Sequence, residues 1–381
     1  MRRLLALVSA IIFVDALLFT ALTPLVPAYA EEFDLSKAEA GLLVGAFGAG
    51  AILGGIPGGL AAARFGPRPA VIAGLVLLSV SSFAFAVSDT ALLLWLARFV
   101  QGVASTSTWA GALAWLSVST PRERRGEVIG TAFGVAIFGA ILGPVFGGIA
   151  ELVSIELAFA TVALAVLAFA VGASFAPSAR REPASLAGVR SAFHDRRFLG
   201  GLWLNMLPAM LFGLLIVLTP LALDDAGWGT FAIAAVFFVA GLSEVVLNPL
   251  LGRYSDRVGR LLPIRVGLAA ATVVAIALAV SSSAALVAVL VGAASLSFGS
   301  LYTPGMSLTS HRAEAAGLAQ GLAFGVMNTA WAIGELVGPT AGGALAEAAG
   351  DAAPYLVGAF LCAVTLALTY RAAGRGGLRA A

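Results

Sequence analysis

The chain has 381 residues, 60% of them hydrophobic and 11% charged, with a mean hydropathy of +1.00 and a formal net charge of +2. A soluble globule of this length needs far more polar surface, so the composition excludes a cytosolic enzyme or a nucleic-acid-binding domain and places the chain in a bilayer. The single cysteine, Cys362, excludes an intrachain disulfide; His194 and His311 stand far apart without metal-ligand spacing, and no metal or cofactor is expected.

The first apolar stretch, about 4 to 29, begins after Arg2 and Arg3 and ends near Ala28-Tyr29-Ala30, which imitates a signal peptide with its cleavage box. It is too long for a typical signal core, contains Asp15, Pro24 and Pro27, and is followed by more segments of spanning length, so it reads as the first membrane helix. Further apolar segments follow at about 39 to 62, 69 to 88, 91 to 119, 127 to 150 and 157 to 176. After a polar stretch come about 199 to 222, 229 to 251, 262 to 281, 284 to 309, 317 to 347 and 353 to 371. Each is near or above the ~20 residues a span requires, and an isolated span must satisfy its own backbone, which predicts an all-α membrane protein of twelve transmembrane helices. The expected division is a six-helix bundle over 1–176, a cytoplasmic linker over 177–198 and a second six-helix bundle over 199–381.

Charge sets the orientation. With the N-terminus inside, 20 of the 22 Lys and Arg fall on inner segments; Lys37 alone lies outside and Arg98 lies within the membrane. The positive-inside bias therefore predicts a multi-pass inner-membrane protein with both termini in the cytoplasm.

Two stretches are spelled alike. Gly139 to Gly148 reads Gly-Ala-Ile-Leu-Gly-Pro-Val-Phe-Gly-Gly, and 195 residues later Gly334 to Gly343 reads Gly-Glu-Leu-Val-Gly-Pro-Thr-Ala-Gly-Gly. On a helix, Gly139, Gly143 and Gly147, or Gly334, Gly338 and Gly342, form a smooth stripe suited to close backbone approach, while Pro144 and Pro339 each remove a donor and permit a bend. The repetition predicts two pseudo-symmetric halves. A second repeat agrees: Gly59-Leu60-Ala61-Ala62-Ala63-Arg64-Phe65-Gly66-Pro67-Arg68, between the second and third segments, corresponds to Gly252-Arg253-Tyr254-Ser255-Asp256-Arg257-Val258-Gly259-Arg260, between the eighth and ninth.

Twelve helices in two halves with this loop in each resemble the major facilitator superfamily of secondary transporters over essentially the whole chain. The glycine run in the fifth helix resembles the antiporter signature of the superfamily's twelve-helix drug:proton branch, and Arg98-Phe99-Val100-Gln101-Gly102 resembles that branch's Arg-x-x-Gln-Gly motif. The resemblance implies conformational roles for Arg64, Asp256 and Arg257 in a cytoplasmic lock. The first loop departs from the family pattern, with Ala63 where an Asp is usual; by pseudo-symmetry Asp256 is expected to address the start of the fifth helix near Gly126, a helix end whose dipole favours an anion, while the start of the eleventh near Gly317 lacks one. The alternative is that these arginines are topological anchors only.

Ionisable residues inside a membrane are costly and are functional candidates by default. Asp15 sits in Phe13-Val14-Asp15-Ala16-Leu17-Leu18-Phe19-Thr20, which resembles the first helix of vesicular monoamine transporters and related bacterial exporters, implying contact with a cationic substrate or a proton; a carboxyl bonded to a neighbouring helix is the structural alternative. Arg98 opens a face that continues through Gln101, Ser105 and Trp109, roughly 10 Å closer to the outside than Asp15, and could be paired for purely structural reasons. Glu244 shares a face with Phe237, Gly241 and Asn248, and Glu335 with Asn328 and Trp331; each could line a cavity or be an interhelical or snorkelling glutamate. Trp203, Asn205, Pro208, Tyr302, Thr303 and Pro304 are weaker candidates for the wall.

The chain shows no phosphate-binding loop and no catalytic constellation, so an enzyme is not expected. The expectation is a secondary transporter that works by alternating access, driving proton-coupled efflux of small amphipathic or cationic compounds, with the bilayer, protons and a small-molecule substrate as partners and a monomer as the unit. The alternatives are an importer or sugar or nucleoside exporter of the same fold, or a ligand-binding sensor that does not transport.

Overall fold

A computed structural model describes residues 2–121, 124–178, 189–258, 261–318 and 320–374. Among them the chain is helical, without strands. The helices are α1 (Arg2–Ala21), α2 (Val26–Glu32), α3 (Lys37–Phe65), α4 (Pro67–Ala86), α5 (Ala91–Ser119), α6 (Arg125–Val153), α7 (Ile155–Ser174), α8 (Val189–His194), α9 (Arg196–Asp225), α10 (Thr230–Val258), α11 (Leu261–Val280), α12 (Ala284–Gly299), α13 (Tyr302–Ala315), α14 (Gln320–Ala349) and α15 (Ala352–Gly374).

Nine helical stretches among the described residues are long and apolar enough to cross a membrane, counting α1 with α2 and α12 with α13 as one each. The helices α5, α10 and α14, of 29, 29 and 30 residues, are also long enough. They are the three that carry Arg98, Glu244 and Glu335. The expected helices are thus present, with two breaks not anticipated. The first span changes to a 3-10 turn at Thr23–Leu25, where Pro24 and Pro27 withhold donors, and the tenth breaks after Gly299, just before Pro304.

Side-chain caps fix several starts. Ser36 and Glu39 form a capping box on α3, and Thr90, Ser154 and Ser283 accept from the backbone three residues on in α5, α7 and α12. Between α3 and α4 the turn relies on Gly66, whose φ of 103° only glycine adopts without strain.

Packing follows the glycines. In α6, Gly139, Gly143 and Gly147 face the α1 backbone at Phe13, Leu17 and Ala21, and Thr20 Oγ1 donates across this seam to the Ala140 carbonyl at 2.7 Å. In α14, Gly334 and Gly338 face Met206 and Met210 of α9, and Gly342 faces Leu214. Both stripes therefore approach a helix of their own half, and both helices stay continuous through Pro144 and Pro339. The last glycine of each run does something else. Gly148 faces Phe231 and Ala234 of α10, and Gly343 faces Lys37 and Ala38 of α3, so each run joins its own half by three glycines and the opposite half by the fourth.

The halves meet along α3 with α14 and α6 with α10, and both seams are closed at one end. Along α3, Gly41, Gly45 and Gly48 lie tight against the α14 backbone and Thr340; Gly55 has only Thr329 Oγ1, 3.7 Å from where its Cβ would be, and Gly59 has nothing within 4 Å. Along α6, Gly148 and Ile141 touch α10, while Gly134 and Gly130 have nothing within 4 Å among the described residues. Polar contacts gather at the closed end: Lys37 Nζ pairs with Asp351 at 2.6 Å, the Ala38 amide donates to Glu347, and Thr230 donates to Glu151. At the other end Arg64 is exposed, with its guanidinium 5.5 Å from its neighbour Phe65; the side chains of Asp256 and Arg257, and Gly126, lie outside the described residues.

Gly343→Leu should force the closed seam apart, because four added carbons would enter the Lys37 carbonyl and overpacking of this kind costs about 1–3 kcal/mol. With Cys362 replaced by Ser and a cysteine placed at Thr340, the substitution should raise labelling by a membrane-impermeant maleimide about tenfold. A labelling rate equal to that of the Gly343 protein would show that this contact does not hold the end shut.

Candidate functional site

The face of α5 that carries Arg98, Ser105 and Trp109 is turned towards α1. Asp15, only 4% exposed, accepts from Ser105 Oγ and from Trp109 Nε1, each at 2.7 Å, two residues one turn apart on α5. Its donors are neutral. Among the described residues no cation lies at contact distance, although Arg98 is close enough to feel its charge.

One turn nearer the closed end, Arg98 is 2% exposed and reaches the last turn of α1. A helix end leaves its final carbonyls without intrahelical donors, and the break after Ala21 makes Leu18 and Phe19 such a case. Arg98 Nη1 donates to the Leu18 carbonyl at 3.4 Å and to Gln101 Oε1 at 3.0 Å, and Nη2 donates to the Phe19 carbonyl at 3.3 Å. Gln101 in turn donates to Ser82 Oγ at 3.2 Å, so the Arg98–Gln101 pair ties α1, α4 and α5 together. The guanidinium also lies 5.0 Å from the centre of the Phe47 ring, within cation–π range.

Phe47 leads across to the other half. Its ring is 4.8 Å from that of Phe19, which makes an edge contact at 5.5 Å with Trp331 of α14. Beyond Trp331, Tyr302 of α13 stacks on Phe212 of α9 with ring centres 6.2 Å apart. One turn beyond Trp331 is Glu335, 4% exposed and without a hydrogen-bond partner among the described residues; the charge it feels is that of Arg98. The arrangement is therefore two buried carboxyls, one per half, that both feel the charge of Arg98, with the rings of Phe19, Phe47 and Trp331 in contact beside it.

Other candidates lie elsewhere. Glu244 packs against Gly299, which turns it towards α12 inside its own half. Asn205 donates to the Met327 carbonyl at 2.7 Å and Trp203 to Thr365 Oγ1 at 2.9 Å, so both join helices. Asn328 is half-buried on α14, and the side chain of Asn248 lies outside the described residues. Phe19 and Phe47 were not singled out from the sequence, where they are two of 23 phenylalanines; only their meeting with Trp331 marks them. The described residues hold no cluster of side chains able to bind a metal.

Arg98→Lys keeps the charge but loses the planar fork that serves two carbonyls and Gln101 together. The loss of charge-assisted bonds worth about 1.5–3 kcal/mol each should lower the apparent Tm of the detergent-solubilised protein by several degrees. An unchanged Tm would show that the first span's break does not depend on Arg98.

Comparison with known proteins agrees with this architecture. The sequence model described as the Major Facilitator Superfamily matches residues 8–326. Multidrug resistance protein 2 of Bacillus subtilis is 25% identical over 375 residues, covering 94% of this chain and 92% of its own. Quinolone resistance protein NorA of Staphylococcus aureus is 31% identical over 147 residues, a local match that spans 38% of either chain. Among solved structures, a bacterial homolog of the human lysosomal transporter Spinster, inward-facing and unoccupied, superposes with a TM-score of 0.80 at 16% identity over 97% of this chain and 96% of its own. With a family model spanning most of its length on a twelve-helix, two-half fold, this chain belongs to the major facilitator superfamily and is a multi-pass membrane transporter of small molecules.

Proposed function

We propose that the protein exports small amphipathic cations in exchange for protons, as a monomer in the inner membrane with both termini in the cytoplasm. The halves, 1–176 and 199–381, move as two bodies joined by 177–198. The positive-inside bias supports the orientation: Arg64, Arg124, Arg197 and Arg312 belong to the open end, and Lys37, the chain's one lysine, to the closed end. The closed end is then the external one, and the arrangement faces inward, ready to take substrate from the cytoplasm or the inner leaflet. The drug-efflux relatives support the direction of transport.

The observation that carries the proposal is the pair of buried carboxyls, Asp15 and Glu335, contributed by opposite halves, with Arg98 the cation whose charge reaches both. A carboxyl withdrawn from water can be neutralised by a proton or by a cationic substrate, but one charge cannot serve both. Competition between them is sufficient for exchange. The aromatic cluster beside the pair offers flat apolar faces to the rest of an amphipathic molecule. The fourth glycines, Gly148 and Gly343, mark where the halves must part when the site turns outward.

Substrate-induced proton release from solubilised protein tests the reading directly, with tetraphenylphosphonium as the cation and Asp15→Asn, Glu335→Gln and Glu244→Gln beside the wild type. Asp15→Asn keeps the shape and one acceptor oxygen for Ser105 and Trp109, so it should fold normally and release no protons. Glu244→Gln should release as the wild type does. Full release from Asp15→Asn would remove Asp15 from the exchange and give the role to whichever glutamate variant has lost it.

A further inference from the structure

Away from the centre, α11 and α15 pack together, and on their membrane face they leave a furrow of about 390 Å³ lined by Ala269, Thr272, Ala363, Leu366, Ala367 and Tyr370. The cause is local. Ala269, Ala363 and Ala367 are exposed small residues on a surface that elsewhere presents Leu, Val, Ile and Phe, and Thr272 turns its hydroxyl back onto the Leu268 carbonyl at 2.8 Å, leaving the floor apolar. From Tyr370 to Ala363 the furrow runs two helical turns, roughly 10 Å along the bilayer normal. Its volume lies within the roughly 300–1,000 Å³ of ligand sites.

One end of the furrow is charged. Arg265, one turn before Ala269 on the same face of α11, stacks its guanidinium 3.9 Å from the centre of the Tyr370 ring. Nε donates to Thr369 Oγ1 at 3.2 Å and Nη2 to the Thr369 carbonyl at 2.9 Å. These bonds use one edge of the guanidinium and hold it flat over the mouth of the furrow. Among the described residues no carboxylate pairs with it, and a half-buried guanidinium at a membrane boundary calls for an anion.

We propose that this furrow binds one anionic phospholipid, its phosphate on the free edge of Arg265 and the upper part of one acyl chain along the three alanines. The two requirements are complementary: the charge selects the headgroup, and the groove requires a chain attached to it. The site rests on neither the direction of transport nor the proton coupling.

The test uses the full-length protein in detergent, with phosphatidylglycerol and phosphatidylcholine of identical acyl chains as probes and retention read by native mass spectrometry. The wild type should keep phosphatidylglycerol about fivefold better than phosphatidylcholine, the preference that one basic residue at a membrane surface confers. Arg265→Gln should abolish the preference. Ala367→Phe, which fills the furrow while leaving Arg265 and its bonds to Thr369 in place, should lower the retention of phosphatidylglycerol as well. Glycerol 3-phosphate, which has the phosphate and no chain, should not compete. Equal retention of the two lipids by the wild type, wild-type behaviour in either variant, or displacement by glycerol 3-phosphate would each overturn the site.

Discussion

In a bilayer an apolar helix gains little by exchanging lipid for another apolar helix, so association depends on how closely backbones approach and on the few polar groups that bridge them. The two glycine runs meet that constraint for the whole molecule. Gly139, Gly143 and Gly147 seat α6 on α1, and Gly334, Gly338 and Gly342 seat α14 on α9, which holds each half together at its centre. The fourth glycine of each run, turned by about 100° on the helix, reaches the opposite half instead. One ten-residue pattern thus builds the halves and supplies contacts at which they meet. Towards Arg64 the small residues continue, and among the described residues Gly55 and Gly59 of α3 and Gly130 and Gly134 of α6 have few or no neighbours from the other half.

The polar groups follow a related logic. The first span is broken at Pro24, and its orphaned carbonyls would be a serious cost in lipid if Arg98 did not cover them. In doing so the guanidinium is placed where its charge reaches a carboxyl of each half. Structural repair and the candidate exchange site therefore share one residue, and the site lies on the line along which the halves meet. Phe19, Phe47 and Trp331 bring three helices of both halves to the same point.

Much of this was legible in the sequence, for definite reasons. The twelve segments follow from length and hydropathy, the halves from the repeated glycines, and the polar face of α5 from the three- and four-residue spacing of Arg98, Gln101, Ser105 and Trp109, though not that Asp15 is what Ser105 and Trp109 meet. What remained hidden depended on partners. Periodicity reports which residues share a face but not which helix covers it, and in lipid an apolar face is as suitable for the membrane as for the core. Hence Phe47 looked like any other phenylalanine, and Glu244, which shares its face with candidate cavity residues, turned out to pack on Gly299 of α12. The Lys37–Asp351 pair joins residues 314 apart, and no local pattern announces it. The furrow beside Arg265 exists because alanines of two distant helices face each other, which neither helix shows alone.

The central claim is that the two ends of the molecule open alternately about the seams that Gly148 and Gly343 close. Paired spin labels measure this most directly, one pair at Glu32 and Ala352 across the closed end and one at Ala63 and Glu314 across the open end, with distances recorded at low and high pH and with a bound cation. The account predicts a short distance at the first pair and a long one at the second in the resting protein, and opposite changes in the two when protons and substrate are exchanged. Distances that lengthen together, or that do not respond at either end, would contradict it.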